Sequence, residues 1–197
     1  MPIDFSSKMK GAVTQTLVKS LLEDAGYRVT PLGIEEVVRE LASVGQAQYL
    51  KLNLPQSLRS LPDFLVTDAA ITKTWLIEVK YRRSWDACEI QALHAKLMEQ
   101  ASASGPFVLL LFLCERAGDI ETPSSRCGVF ELKSKAGELL YRSRYKAHKW
   151  YPWSQAELRF AQPPAAVFDL LNNRFEERTL QKCCEFAAAY PGILDGT

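Results

Sequence analysis

Two carboxylates and a lysine lie in neighbouring predicted strands of this 197-residue chain. Asp63 follows Pro62 at the start of the first strand. The second strand contains Glu78, Val79 and Lys80. Because side chains alternate along a strand, Glu78 and Lys80 point to one face and Val79 to the other. A hairpin turn between the strands can bring the Asp63 carboxylate beside that of Glu78.

These groups suit the hydrolysis of a phosphodiester bond. Two neighbouring carboxylates repel each other, and a divalent cation removes that repulsion. Mg²⁺ prefers oxygen ligands, so we expect it to bind Asp63, Glu78 and the carbonyl of Val79, with Mn²⁺ as a substitute. A cation lowers the pKa of its bound water. Lys80 could orient or deprotonate that water, or stabilise the charge that develops on a phosphate.

The elements around these residues predict an α/β fold with a mixed central sheet flanked by helices. Helical periodicity covers 8–25, 34–44 and 86–103, and strand patterns cover 27–32, 61–67, 74–81, 107–114 and 128–132. The continuous apolar run at 107–114 indicates a central strand buried on both faces. Residues 139–153 extend the sheet or cross its surface, and helices are predicted at 163–171 and 175–190.

The sequence Pro62-Asp63, fourteen intervening residues and Glu78-Val79-Lys80 resembles the PD-(D/E)XK nuclease motif. The α-β-β-β-α-β order over residues 8–115 resembles the core of the same superfamily. The resemblance implies a restriction-endonuclease-like domain over 1–153, with 154–197 as its C-terminal helical extension. It also implies Mg²⁺ dependence and a nucleic-acid substrate, with Asp63 and Glu78 as metal ligands and Lys80 as the catalytic lysine. We therefore predict a DNA endonuclease.

Three further positions are candidates for the site. The superfamily often carries an acid on its first helix, but residues 8–22 contain none, and Gln15 stands near the expected place. Glu35 or Glu36, just after the first strand, could supply that carboxylate, as in some members. Gln91 lies on the helix after the motif, where some relatives carry a glutamine that helps the site. A polar residue on an amphipathic helix equally fits a solvent-facing position.

Basic residues form two candidate nucleic-acid contacts. Arg82 and Arg83 follow the motif lysine and could bind the phosphates beside the scissile bond. Residues 141–153 interleave bases with aromatic rings and contribute Arg142, Arg144, Lys146 and Lys149. Cations pair with phosphates while rings stack on exposed bases. In the alternative reading, the rings pack in the core or in a dimer contact and the cations are solvated.

A second Glu-x-Lys tripeptide shows how common this short pattern is. Glu131-Leu132-Lys133 also lies on a predicted strand, but it comes late in the chain, and the acids just upstream of it, Asp119 and Glu121, neither follow a proline nor lie on an apolar strand. We expect its charges to form a cross-strand or solvated pair.

Composition excludes several other classes of function. With only two histidines we expect no His-rich zinc site, and no apolar run reaches the length of a membrane-spanning helix. Five cysteines without a CxxC pattern indicate reduced thiols in a cytoplasmic protein. No phosphate-binding GxxxxGK[ST] loop is present, so any energy-dependent step would need a helicase or ATPase partner.

Two alternatives to a nuclease remain open. The first is a non-catalytic module of the same fold that binds nucleic acid or a partner protein. The second is a structural protein in which the acids and the lysine form ordinary salt bridges. Many members of the superfamily that the motif resembles dimerise to cut both strands, so a homodimer is a further expectation. The apolar residues of the C-terminal helices fit either the core or a dimer interface; they are Leu170, Leu171, Phe175, Leu180 and Phe186.

Overall fold

The strands of the sheet lie side by side in the same order in which they occur along the chain. The computed structural model describes residues 5–33, 51–82, 85–113, 127–145 and 149–171. Seven strands within these ranges form one mixed sheet. They are β1 (Arg28–Pro31), β2 (Phe64–Thr67), β3 (Thr74–Arg82), β4 (Phe107–Leu113), β5 (Cys127–Lys135), β6 (Glu138–Arg142) and β7 (Trp150–Pro152).

The helices in the described ranges differ greatly in length. They are α1 (Phe5–Asp24), α2 (Gln56–Arg59), α3 (Ala87–Ser104) and α4 (Pro164–Val167). Short 3₁₀ turns occur at Trp153–Gln155, Leu158–Phe160 and Asp169–Leu171. No helix in the described part of the chain is long and apolar enough to cross a membrane.

Strands β3 and β4 are parallel, whereas every other neighbouring pair is antiparallel. A parallel pair needs a crossover, and α3 provides it. The predicted hairpin is confirmed: β2 and β3 pair from Phe64–Ile77 to Thr67–Thr74. The Asp68 carboxylate fixes the turn by accepting hydrogen bonds from the amides of Thr72 (2.6 Å) and Lys73 (3.0 Å).

The core has two layers, one on each face of the sheet. We call the layer beneath α1 the α1 core; it contains Val18, Leu21, Leu22, Tyr27, Phe64, Val66, Ile77, Val79, Val108, Leu110, Phe112, Cys127, Val129, Phe168 and Leu171. We call the layer beneath α3 the α3 core; it contains Leu93, Leu97, Ala101, Phe107, Leu109, Leu111, Phe130, Leu132, Leu139, Tyr141, Trp153, Ala156 and Ala161. Strand β4 contributes alternate side chains to both, which confirms it as a central buried strand.

The ends of α3 follow ordinary capping chemistry. The Asp86 side chain accepts a 3.0 Å hydrogen bond from the Glu89 amide, so it satisfies a donor in the first turn. Gly105 follows the last turn at φ 80, a conformation that glycine adopts without strain. Helix α3 therefore has defined ends.

Residues 139–153 extend the sheet, through β6 and β7. The helix predicted over 163–171 is mostly wrong, because only Pro164–Val167 is α-helical before a 3₁₀ turn. Residues 154–171 nevertheless pack on the sheet, and Phe168 and Leu171 lie in the α1 core. The boundary at 153/154 stays a prediction. The helices predicted over 34–44 and 175–190 lie outside the described residues.

Candidate active site

The site lies where the pairing of β2 with β3 stops and the longer strand β3 continues. The β2–β3 ladder stops at the pair Phe64–Ile77, while β3 continues to Arg82. Beyond this pair, no strand in the described part of the chain pairs with β3 on the β2 side. Asp63 immediately precedes β2, and its own carbonyl accepts a 2.9 Å hydrogen bond from the Leu32 amide. Its side-chain Oδ2 accepts a 2.7 Å hydrogen bond from the Val79 amide. The predicted approach of Asp63 to the Glu78–Lys80 segment is confirmed.

Glu78 and Lys80 share the face of β3 that packs toward α3, and Val79 lies in the α1 core. The Glu78 side chain is only 1% exposed. Its Oε1 accepts hydrogen bonds from Lys80 Nζ and, at 3.0 Å, from Lys96 Nζ. Its Oε2 accepts a 2.7 Å hydrogen bond from Gln100 Nε2. A buried carboxylate is stable only when it is paired in this way.

Gln15 joins the site from α1. Its Nε2 donates a 2.9 Å hydrogen bond to Asp63 Oδ1. The sequence placed Gln15 near the position where the superfamily often carries an acid on its first helix. In the structure Gln15 contacts Asp63 directly, so a neutral donor stands where a carboxylate was expected. All four carboxylate oxygens of Asp63 and Glu78 thus accept a hydrogen bond from the protein.

The two carboxyl groups have different acidities. Burial, together with the neighbouring Glu78 charge, raises the pKa of Asp63 to about 6. Burial also acts against the Glu78 carboxylate, but Lys80 and Lys96 outweigh it and hold the pKa of Glu78 below its usual value. The site therefore combines one readily protonated carboxyl group with one that stays ionised.

The two lysines also differ. Burial lowers the pKa of Lys80, and the nearby Glu78 charge only partly offsets this effect. Burial acts on Lys96 in the same direction, but the attraction of Glu78 prevails and raises the pKa of Lys96. Lys80 is thus the better candidate to accept a proton, and Lys96 remains a cation.

A cleft of about 620 Å³ opens over these groups. It lies between α1 and the segment around α2, and Lys96 of α3 reaches into it. Its lining residues are Ala12, Gln15, Thr16, Lys19, Pro31, Gly33, Arg59, Leu61, Asp63, Phe64, Lys80 and Lys96. Four of these side chains are basic and only one is acidic. Such a lining attracts anions, above all phosphates.

The fit to Mg²⁺ can be judged from the oxygen atoms available. Among the described residues, no group of three or more His, Cys, Asp and Glu side chains could hold a metal ion. Mg²⁺ does not need such a group, since it is commonly held by one or two carboxylates and keeps several waters. Val79 adds a carbonyl, which lies 3.3 Å from Lys80 Nζ. In addition, Gln100 Oε1 is buried and has no hydrogen-bond partner among the described residues, a position that a bound water ordinarily fills. The donor set therefore fits Mg²⁺, provided that a lysine leaves Glu78 Oε1.

Comparison with protein-family models, with curated proteins and with solved structures gave no match. What the site does must therefore follow from its own geometry.

The glutamine of α3 that reaches the site is Gln100 rather than Gln91. Gln91 is exposed on the helix, nine residues earlier, and contacts neither carboxylate. That separation is roughly 13 Å along the helix axis. Gln100 and Lys96 were missed by the sequence analysis, although both stand on one face of α3 at a spacing of four residues. A polar Gln100 beside the apolar stripe of Leu93 and Leu97 was the available signal.

The basic residues predicted to bind nucleic acid lie away from the cleft lining or outside the described ranges. Arg82 pairs with Glu89 at 2.7 Å. Arg142 lies on β6, three strand spacings or about 14 Å from β3. Arg144 contacts the Tyr145 side chain, and Lys149 is exposed. Glu35, Glu36, Arg83 and Lys146 lie outside the described residues. The role of these side chains in binding stays a prediction.

Part of the aromatic stretch packs in the core, as the alternative reading had it. Tyr141 and Trp153 are buried in the α3 core, whereas Tyr145 is exposed. The second Glu-x-Lys also behaves as expected: Glu131 pairs across the strands with Arg142 at 3.0 Å. Lys133 Nζ lies 3.9 Å from the centre of the Trp150 ring.

Proposed function

We propose that this chain is a Mg²⁺-dependent nuclease that hydrolyses phosphodiester bonds, acting on DNA as an endonuclease. The observation that carries the proposal is the cleft. Asp63 and Lys80 line it beside the buried Glu78, and three more basic side chains line it as well: Lys19, Arg59 and Lys96. Paired carboxylates can hold a divalent cation, and the basic lining can hold phosphates. Few reactions other than phosphoryl chemistry use both together.

Asp63, Glu78 and the Val79 carbonyl would hold the metal ion. When bound, Mg²⁺ supplies Lewis-acid activation and makes water a better nucleophile. The protein does the positioning. Gln15 and the Val79 amide orient Asp63, and Gln100 orients Glu78. Lys80, with its lowered pKa, accepts a proton from the attacking water or stabilises the negative charge on the phosphate.

The fold that we propose for the domain is restriction-endonuclease-like. Its support is the order of α1, the β1–β2–β3 antiparallel strands, the crossover α3 and the parallel strand β4. The acidic residues lie at the hairpin, where the resemblance to PD-(D/E)XK nucleases expects them. We further propose that the protein works in the cytoplasm, which agrees with the exposed thiol of Cys88.

A cleavage panel tests this function. Circular and linear duplex DNA, single-stranded DNA, a four-way junction and RNA would each be incubated with Mg²⁺, Mn²⁺ or EDTA. We expect cutting of duplex DNA, including the circular form, that EDTA abolishes. Cutting of linear DNA alone would reject the endonuclease, and cutting of RNA alone would reject the DNA substrate. No cutting of any substrate by the folded protein would reject the nuclease.

A second candidate is a non-catalytic nucleic-acid-binding module with the same fold. One observation favours it: two lysines already balance the charges of Asp63 and Glu78, and every carboxylate oxygen has a protein donor. This candidate predicts DNA binding that needs no metal ion and survives Glu78→Gln. The nuclease predicts that a divalent cation strengthens DNA binding and that Glu78→Gln removes this effect.

A further inference from the structure

Two lysines compete for one oxygen of Glu78. Lys80 Nζ and Lys96 Nζ both donate to Oε1, and Gln100 holds Oε2. Since Mg²⁺ coordinates carboxylate oxygens directly, a cation at Glu78 and two ammonium groups at Oε1 would repel each other. One lysine therefore has to move when a metal ion binds.

The exposure of the two side chains decides which lysine moves. Lys80 is only 15% exposed, and it stands on β3 next to Glu78, with Val79 O as its other acceptor. The Lys96 side chain is 55% exposed and extends from α3 into the cleft. A half-exposed lysine has room to change rotamer once its ion pair is broken, whereas a buried one is held by its neighbours.

From its place in the cleft, Lys96 can also contact a bound phosphate. Lys96 lines the cleft together with Lys19 and Arg59, where a bound phosphodiester would lie. An ammonium group that turns from Glu78 toward the cleft stays in contact with negative charge when a substrate phosphate is present. The same side chain can thus serve the metal-free protein and the substrate complex in turn.

We infer that Lys96 is an exchangeable counter-ion: it holds Glu78 while the metal site is empty and passes to the substrate phosphate when a divalent cation takes its place. This inference rests on the proposed function. It makes Lys96 a positioning residue whose loss acts on metal and substrate binding in opposite directions. A purely structural lysine would not do so.

The test is the affinity of the full chain for Mn²⁺, measured by calorimetry after EDTA treatment. Lys96→Met keeps the apolar stem and removes the competing charge. We expect it to bind Mn²⁺ roughly tenfold more tightly than the wild type. Lys96→Arg keeps the charge and should bind like the wild type. Lys19→Met is the matched control, because it removes a charge from the same cleft without touching Glu78.

The second readout is affinity for a short phosphorothioate DNA duplex, which resists hydrolysis, at saturating Mn²⁺. Lys96→Met should bind it several-fold more weakly than the wild type. Unchanged or weaker Mn²⁺ binding by Lys96→Met, beside normal binding by the wild type, would overturn the role of Lys96 and leave the nuclease intact. Absence of Mn²⁺ binding in all four proteins would overturn the proposed function and this inference with it. Lys96→Gln replaces Lys96→Met if circular dichroism shows that the Met variant is unfolded.

Discussion

The Asp63 carboxylate accepts a 2.7 Å hydrogen bond from the backbone amide of Val79, the residue between Glu78 and Lys80. The backbone pairing of β2 with β3 ends at Phe64–Ile77. The bond from Val79 to Asp63 joins the two segments just beyond that last pair. It holds one carboxylate against the strand that carries the other. Burial opposes the ionisation of both groups, and their acidities differ because Lys80 and Lys96 stabilise the Glu78 carboxylate more than burial disfavours it.

The stability of the metal-free protein should depend on the ionisation of Asp63. Its pKa is raised to about 6 in the folded state, so folding favours the protonated form. That stabilisation is fully present below about pH 4 and is lost as the pH rises through about 6. Asp63→Asn cannot lose it. Relative to this variant, the wild type should therefore lose roughly 2–3 kcal/mol between pH 4 and pH 7, measured by urea unfolding in EDTA.

Asp68→Asn is the control for that titration. The pKa of Asp68 is lowered, mainly by hydrogen bonds from Thr72 and Lys73, so its contribution is present above its ordinary pKa and lost as the pH falls. The difference between wild type and Asp68→Asn should thus change in the opposite direction. Parallel curves for the wild type and Asp63→Asn would contradict the assigned pKa of Asp63.

Gln15→Glu should convert a hydrogen bond into a repulsion. Gln15 Nε2 lies 2.9 Å from Asp63 Oδ1, and a carboxylate there would face a second carboxylate. We expect the metal-free variant to be less stable at pH 8 by roughly 1–3 kcal/mol. Mg²⁺ should raise its melting temperature more than that of the wild type, because the cation would gain a third carboxylate ligand.

Thr16→Glu is the matched control for this experiment. Thr16 lines the same cleft, but its hydroxyl bonds to the Ala12 carbonyl rather than to Asp63. Equal effects of Mg²⁺ on Gln15→Glu and Thr16→Glu would show a general response to cleft charge, which would contradict a specific ligand position beside Asp63.

Gly128→Ala should destabilise the fold away from the site. A Cβ at this position on β5 would lie 2.8 Å from Ala161 Cβ and 3.1 Å from Leu158 Cδ1. The facing segment is held there by two hydrogen bonds between Val129 and Gln162. We expect a loss of roughly 1–3 kcal/mol in urea unfolding. Gly11→Ala on α1, where no atom of the described residues lies within 4 Å of the added Cβ, should instead gain up to about 1 kcal/mol. A neutral Gly128→Ala would show that the facing segment yields.

The part of the site that one hairpin brings together was predictable from the sequence. Asp63, Glu78 and Lys80 come together through one hairpin, and strand periodicity with a turn signal is enough to predict their approach. The sheet also followed from local patterns, since β3 and the helix after it are periodic and β4 is a continuous apolar run. The short C-terminal turns did not, because the helix that begins at Pro164 ends where Phe168 leaves helical geometry and packs in the α1 core, a contact that no local pattern specifies.

Contacts between distant elements were harder to predict. Gln100 and Lys96 reach Glu78 only through the docking of α3 on the sheet, which no local pattern specifies. The periodicity of α3 still separates the two glutamines. Gln100 follows Leu97 by three residues and lies beside the apolar stripe, whereas Gln91 precedes Leu93 by two and lies opposite. The basic lining of the cleft is also assembled from separate elements.

The most direct measurement is the rate of Mg²⁺-dependent DNA cleavage by the wild type, Asp63→Asn, Lys80→Ala and Lys133→Ala. Lys133 is the control, because it belongs to the second Glu-x-Lys and contacts Trp150 away from the cleft. We predict that Asp63→Asn and Lys80→Ala each lose about 100-fold or more, that Lys133→Ala stays within about twofold, and that EDTA abolishes cutting. Cutting that persists in folded Asp63→Asn and Lys80→Ala would contradict an active site at these residues.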